Sequence, residues 1–98
     1  MPLDPALADR IVRAVDEGFD AQLDHLKTLV RYPSQRGDEH AVQDFIFQDL
    51  RKRGFVMERF AMDEEAIKRH PGGSPFSDTH STAPIVVGIH RPREETGR

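Results

Sequence analysis

Histidine is the first residue type to weigh for chemistry, because imidazole both binds transition metals and moves protons near neutral pH. The chain has five: His25, His40, His70, His80 and His90. No two of them stand in an HxH or HxxxH pair, the short spacings that place two imidazoles on one metal. His70, His80 and His90 recur every ten residues across a turn-rich stretch and the strand after it, and read as exposed polar side chains. His40 follows Asp38 and Glu39, where carboxylates at a helix start account for the cluster without a ligand role. Ser34, Ser74, Ser77 and Ser81 all fall in turn-like segments, and none sits in a G-x-S-x-G elbow. Gly72-Gly73 lacks the following Lys-Ser or Lys-Thr of a phosphate-binding loop. Asp63, Glu64 and Glu65 are adjacent and read as a solvated helix start. Nucleophilic catalysis, nucleotide binding and a metal centre are therefore all unsupported, and no catalytic, cofactor-binding or metal-ligating residue is assigned.

Composition narrows the class. The chain has 98 residues, net charge −3, 32% charged and 37% hydrophobic side chains, and no cysteine. That length holds one small domain, residues 1–98, with modest capacity to bury a core. An acidic balance argues against a nucleic-acid partner, and Arg51-Lys52-Arg53 falls at a predicted helix end, where cations oppose the negative end of the helix dipole. Asp4, Asp9 and Arg10 interrupt the start where a secretory signal needs an apolar stretch, and no run is long enough to span a membrane. With no thiols, the expectation is a soluble cytoplasmic protein.

The elements follow from spacing and punctuation. Asp4-Pro5 starts a helix, and Leu7, Ile11, Val15, Phe19, Leu23, Leu26 and Val30 form one drifting apolar stripe facing a core. Gly18 is the point at which this helix should bend or break. Tyr32-Pro33 ends it. A second helix, capped by Asp38, presents Val42, Phe45, Ile46 and Leu50 and closes at Gly54. Phe47 lies off that stripe and marks a second contact surface. A strand over Phe55–Phe60 and a short helical turn capped by Asp63 come next. From Pro71 to Pro84 the chain is loop. Ile85-Val86-Val87-Gly88-Ile89 is a second strand, apolar without alternation, as in a strand covered on both faces.

Four segments in order resemble the N-terminal region of the zinc metallopeptidase and deacylase family of acetylornithine deacetylase, succinyl-diaminopimelate desuccinylase, aminoacylase and carboxypeptidase G. They are Leu29-Val30-Arg31-Tyr32-Pro33-Ser34, Arg36-Gly37-Asp38-Glu39-His40-Ala41-Val42, the step Leu50 to Glu58 around Gly54-Phe55, and Pro84-Ile85-Val86-Val87-Gly88. Ile85 stands where the family usually has Asn. Phe60 to Asp63 and Ile67 to Gly72 are similar to the deacetylase-like branch.

The resemblance implies an α/β fold, an incomplete part of a mixed-sheet, three-layer zinc-hydrolase catalytic domain contributing two main helices and two strands. It implies two zinc ions in the full-length parent, which activate a water against an amide carbonyl, and a glutamate base. The family's ligands begin with an H-x-D motif on the next strand, which would follow Arg98, so none of its catalytic residues maps onto this chain. The two strands present would flank the strand bearing those ligands. The expected function is a scaffold segment of a hydrolase cleaving amide bonds, inactive alone, with the remainder of the catalytic domain as partner. The parent would take a small amide or peptide substrate and engage neither nucleic acid nor membrane. The alternative is a small non-enzymatic α/β protein-interaction module.

Overall fold

The computed structural model describes residues 2–96, which fall into two units divided after Tyr32. Among the described residues there are four helices and one two-stranded antiparallel sheet: α1 (Pro5–Glu17), α2 (Phe19–Arg31), α3 (His40–Lys52), β1 (Val56–Phe60), α4 (Glu64–Arg69) and β2 (Ile85–Ile89). The chain is a small mixed α/β protein.

The first unit is α1 and α2. Asp4 caps α1 by accepting the Ala6 N–H at 3.3 Å, and Pro5 occupies the first helical position. The break expected at Gly18 is present, with ψ moved to −3°. Helical bonding nevertheless continues through it, from the Gly18 N–H to Ala14 and from the Gln22 N–H to Gly18. The apolar stripe does not face a core. Val15 is 59% exposed, Phe19 57% and Val30 75%. The reason is architectural: the unit consists of these two helices, so it contains no other element able to cover their apolar side.

The second unit is built on the junction between α3 and the sheet. Glu39, not Asp38, is the residue before the first helical turn, and it lacks a side-chain cap bond to the helix. Its carboxylate reaches back to accept the Gly37 N–H at 3.0 Å. Asp38 is held in the preceding turn, its N–H donating to the Gln35 carbonyl. At the other end, Gly54 takes φ +91°, the Gly54 N–H donates to Arg51 and the Phe55 N–H donates to Leu50, both at 3.1 Å. This pair of bonds satisfies two of the carbonyls that a helix end leaves open and turns the chain directly into β1.

β1 and β2 pair in the register Val56↔Ile89, Met57↔Gly88, Glu58↔Val87, Arg59↔Val86 and Phe60↔Ile85. Alternation along a strand therefore puts Met57, Arg59, Val86 and Gly88 on one face. That face meets α3: a side chain on Gly88 would come within 3.2–3.3 Å of Leu50, Phe55 and Met57. Phe47 is also covered from here, by the Arg59 guanidinium 3.8 Å above its ring, while Arg59 pairs with Asp44 at 3.2 Å. Phe47 is thus half-buried against the sheet and is no second contact surface.

Two further expectations are corrected. The strands pair with each other, so they cannot stand on either side of a third strand, and any further strand must join at an outer edge. The opposite face of the sheet, carrying Val56, Phe60, Ile85, Val87 and Ile89 around the charged Glu58, is not covered by α3. Val56 is 58% exposed and Phe60 48%. Among the described residues none is buried.

Gly54 has open space where a side chain would go, so replacing it tests backbone conformation alone. Gly54→Ala is expected to cost about 1 kcal/mol, because an L-residue resists positive φ. Amides of β1 should exchange about fivefold faster by hydrogen–deuterium exchange, and unchanged exchange would show that this helix-to-strand step does not support the hairpin.

Candidate functional site

The densest polar cluster lies where the long loop before β2 returns to the starts of α3 and α4. Asp63 accepts the Ala66 N–H at 2.9 Å and so fixes the first turn of α4. The three adjacent carboxylates then serve three separate purposes. Asp63 is the cap, Glu65 pairs with Lys68 at 3.3 Å, and Glu64 bonds the ring of His80.

Three consecutive loop residues are tied down. The His80 Nε2 bonds the Glu64 carboxylate, and its Nδ1 lies 2.7 Å from the Ser77 carbonyl. The Ser81 hydroxyl lies beside the Glu39 carboxylate, which it holds below its ordinary value, and accepts the Ala83 N–H at 3.1 Å. The Thr82 hydroxyl lies 3.2 Å from the His40 Nε2. Phe76 stacks against the His80 ring with centroids 4.8 Å apart. Arg36, Glu39, Phe76, Ser77, His80 and Ser81 line a shallow open depression beside these contacts.

The electrostatics follow from this arrangement. The Ser77 carbonyl first, and the Glu64 carboxylate second, hold the His80 imidazole above its usual titration range; Lys68 works weakly against them. Both ring nitrogens face acceptors, Nδ1 the Ser77 carbonyl and Nε2 the Glu64 carboxylate, so the ring is engaged on both sides. Glu39 is held below the usual carboxylate range, first by the Ser81 hydroxyl and then by backbone N–H groups, its own and that of Gly37, with a smaller contribution from His40. The cluster can fasten the loop.

The remaining histidines are dispersed. His70 Nδ1 accepts the Gly72 N–H at 3.0 Å in the turn that ends α4, His90 packs its ring 5.9 Å from that of Phe55, and His25 lies on α2. Among the described residues, no three His, Cys, Asp or Glu side chains converge to hold a metal ion. The basic run at the end of α3 is anchored locally, with Arg53 bonded to Asp49 at 2.9 Å. No protein-family model, curated protein or solved structure matches the chain.

Sequence reasoning assigned the helix-start role of Asp63 but not the fastening of residues 80–82. Their partners lie 16 residues away for His80 and 42 for Thr82, and no local periodicity signals contacts at such separations.

The loop's pH dependence follows with opposite signs at its two ends. Because the His80 value is raised by folding, its contribution is full below the ordinary imidazole value of about 6.5 and is lost as pH rises through the raised value. Because the Glu39 value is lowered, its contribution is present above the ordinary carboxylate range and is lost as pH falls through the lowered value. An NMR titration should show the Ser81 and Thr82 amides most ordered between these limits. His80→Gln should abolish the alkaline transition and keep the acid one; a His80 midpoint at or below that of free histidine contradicts this assignment.

Proposed function

We propose that this chain is an N-terminal scaffold segment of a zinc-dependent hydrolase of amide bonds, similar to acetylornithine deacetylase and its relatives, and inactive by itself. The observation that carries the reading is the pair of uncovered apolar faces: the α1–α2 stripe, and the side of the sheet that α3 leaves open. A layered α/β catalytic domain has elements on both sides of its sheet, and these faces are where such layers attach. The order of elements supports the same reading. Beyond α1, helices α2 and α3, the Gly54-Phe55 step into β1, the short acidic helix α4 and the apolar β2 follow the order of the four family-like segments.

In this reading the chain's residues build and hold; they do not react. The described residues contain no set of donors suited to zinc, so no catalytic step is assigned to them. The two zinc ions, the general base and the substrate-recognising groups belong to the remainder of the catalytic domain, which is the partner this segment requires. The parent's substrate is a small amide or a peptide. The net charge of −3 offers nothing to a nucleic-acid backbone, and among the described residues no helix is long and apolar enough to cross a membrane.

A non-enzymatic interaction module is the second reading, favoured by the stripe on α1 and α2, which is continuous enough to receive an apolar partner. The intact mass of the protein captured from its native source separates the two. A mass several times that of the 98-residue chain, with amide hydrolysis that depends on added zinc, is expected for the hydrolase. A mass equal to that of this chain, with no such activity, favours the module.

A further inference from the structure

The outer edge of β2 is chemically distinct from that of β1. Among the described residues, no backbone hydrogen bond outside the pairing with β1 involves residues 85–89. A strand edge left open is a template for another strand, and proteins usually protect it with a charge, a proline or a bulge. Ile85-Val86-Val87-Gly88-Ile89 contains no charge and no proline. β1, in contrast, carries Glu58 and Arg59.

Charge then decides which edge a second copy can use. Two copies of β1 paired antiparallel about their midpoint set Glu58 directly against Glu58, and like charges in that position are destabilising. Two copies of β2 paired about their midpoint set Val87 against Val87, Ile85 against Ile89 and Val86 against Gly88. The strand is self-complementary about its centre, as a two-fold interface requires. Pro84 adjoins its start, and a centre at Val87 is the register that uses all five residues. A one-residue slip would set α3-facing positions against open-face positions.

We infer that the chain self-associates through this edge, with β2 of one copy antiparallel to β2 of the other in a four-stranded sheet of order β1-β2-β2-β1. An isolated two-stranded sheet is marginal in water, and four strands relieve that. The two-fold axis places both α3 helices on one side and brings the two open faces, with Val56, Phe60, Ile85, Val87 and Ile89 and the charged Glu58 from each copy, onto the other. The edge contact is small, so the association is concentration-dependent. The inference rests on edge chemistry and stands apart from the hydrolase reading.

The absence of native cysteine makes the test direct. Opposed residues of an antiparallel pair have Cα atoms about 4.5–5.5 Å apart, within disulfide range. Under mild oxidation Val87→Cys should give a covalent dimer at least about tenfold faster than Glu58→Cys, with the dimer read on a non-reducing gel. In sedimentation equilibrium the unmodified chain should dimerise, and Val87→Lys should weaken dimerisation at least about tenfold, about 1.4 kcal/mol. Sedimentation as a monomer at every concentration overturns the inference. So does a dimer that cross-links through Glu58→Cys as readily as through Val87→Cys, or that Val87→Lys leaves intact, because the contact then lies elsewhere, on the helical stripe or the β1 edge.

Discussion

The contact between α3 and one face of the hairpin is the constraint on which the second unit depends. Leu50 from the helix end, Phe55 from the turn and Met57 from β1 close over Gly88, and the fit exists because Gly88 contributes no side chain. The left-handed Gly54 makes the contact possible. It reverses the chain within two residues of the helix, so that the strand it feeds lies beneath the helix it has left. Arg59 completes the interface by bonding Asp44 and covering Phe47. One helix, one turn and two strands are fixed by a few side chains of adjacent sequence, and β2 is the long-range partner they recruit.

That interface covers one side only. The sheet has two faces and two outer edges; α3 takes one face, and β1–β2 pairing uses only the inner side of each strand. The other face and the α1–α2 stripe keep their apolar side chains in water, a cost of roughly 25 cal/mol for every Å² left exposed. Both functional readings of this chain are answers to the question of what relieves this exposure; its proposed self-pairing closes the β2 edge instead. The loop from His70 to Pro84 is secured differently, by hydrogen bonds instead of apolar packing, through His80, Ser81 and Thr82 to α4 and α3. It is accordingly the part of the second unit most sensitive to pH.

Local chemistry made much of the architecture legible in the sequence. Asp4-Pro5, Gly18, Gly54 and Asp63 each mark the boundary at which they stand, because capping and backbone conformation are decided within a few residues. β2 was legible from five consecutive apolar positions bounded by Pro84. Helix periodicity identified an apolar stripe from Leu7 to Val30 but could not say whether anything covers it, since periodicity reports what a helix could bury and not what is there to bury it. The same limit led to the expectations that both faces of β2 are covered and that Phe47 is open. The position of Asp38, one residue further from the helix than a cap requires, turned on Glu39 folding back to Gly37, a bond that residue type alone does not specify. The polar cluster escaped because its partners lie 16 and 42 residues apart in the sequence.

The chain buries little surface on its own, and urea unfolding of the isolated chain tests this most directly. The slope of unfolding free energy against urea scales with the surface exposed. A broad transition with a slope well below about 1 kcal/mol/M, steepening when concentration is raised, is predicted. A sharp, concentration-independent two-state transition of a monomer, with the slope of a fully packed small domain, would contradict the account.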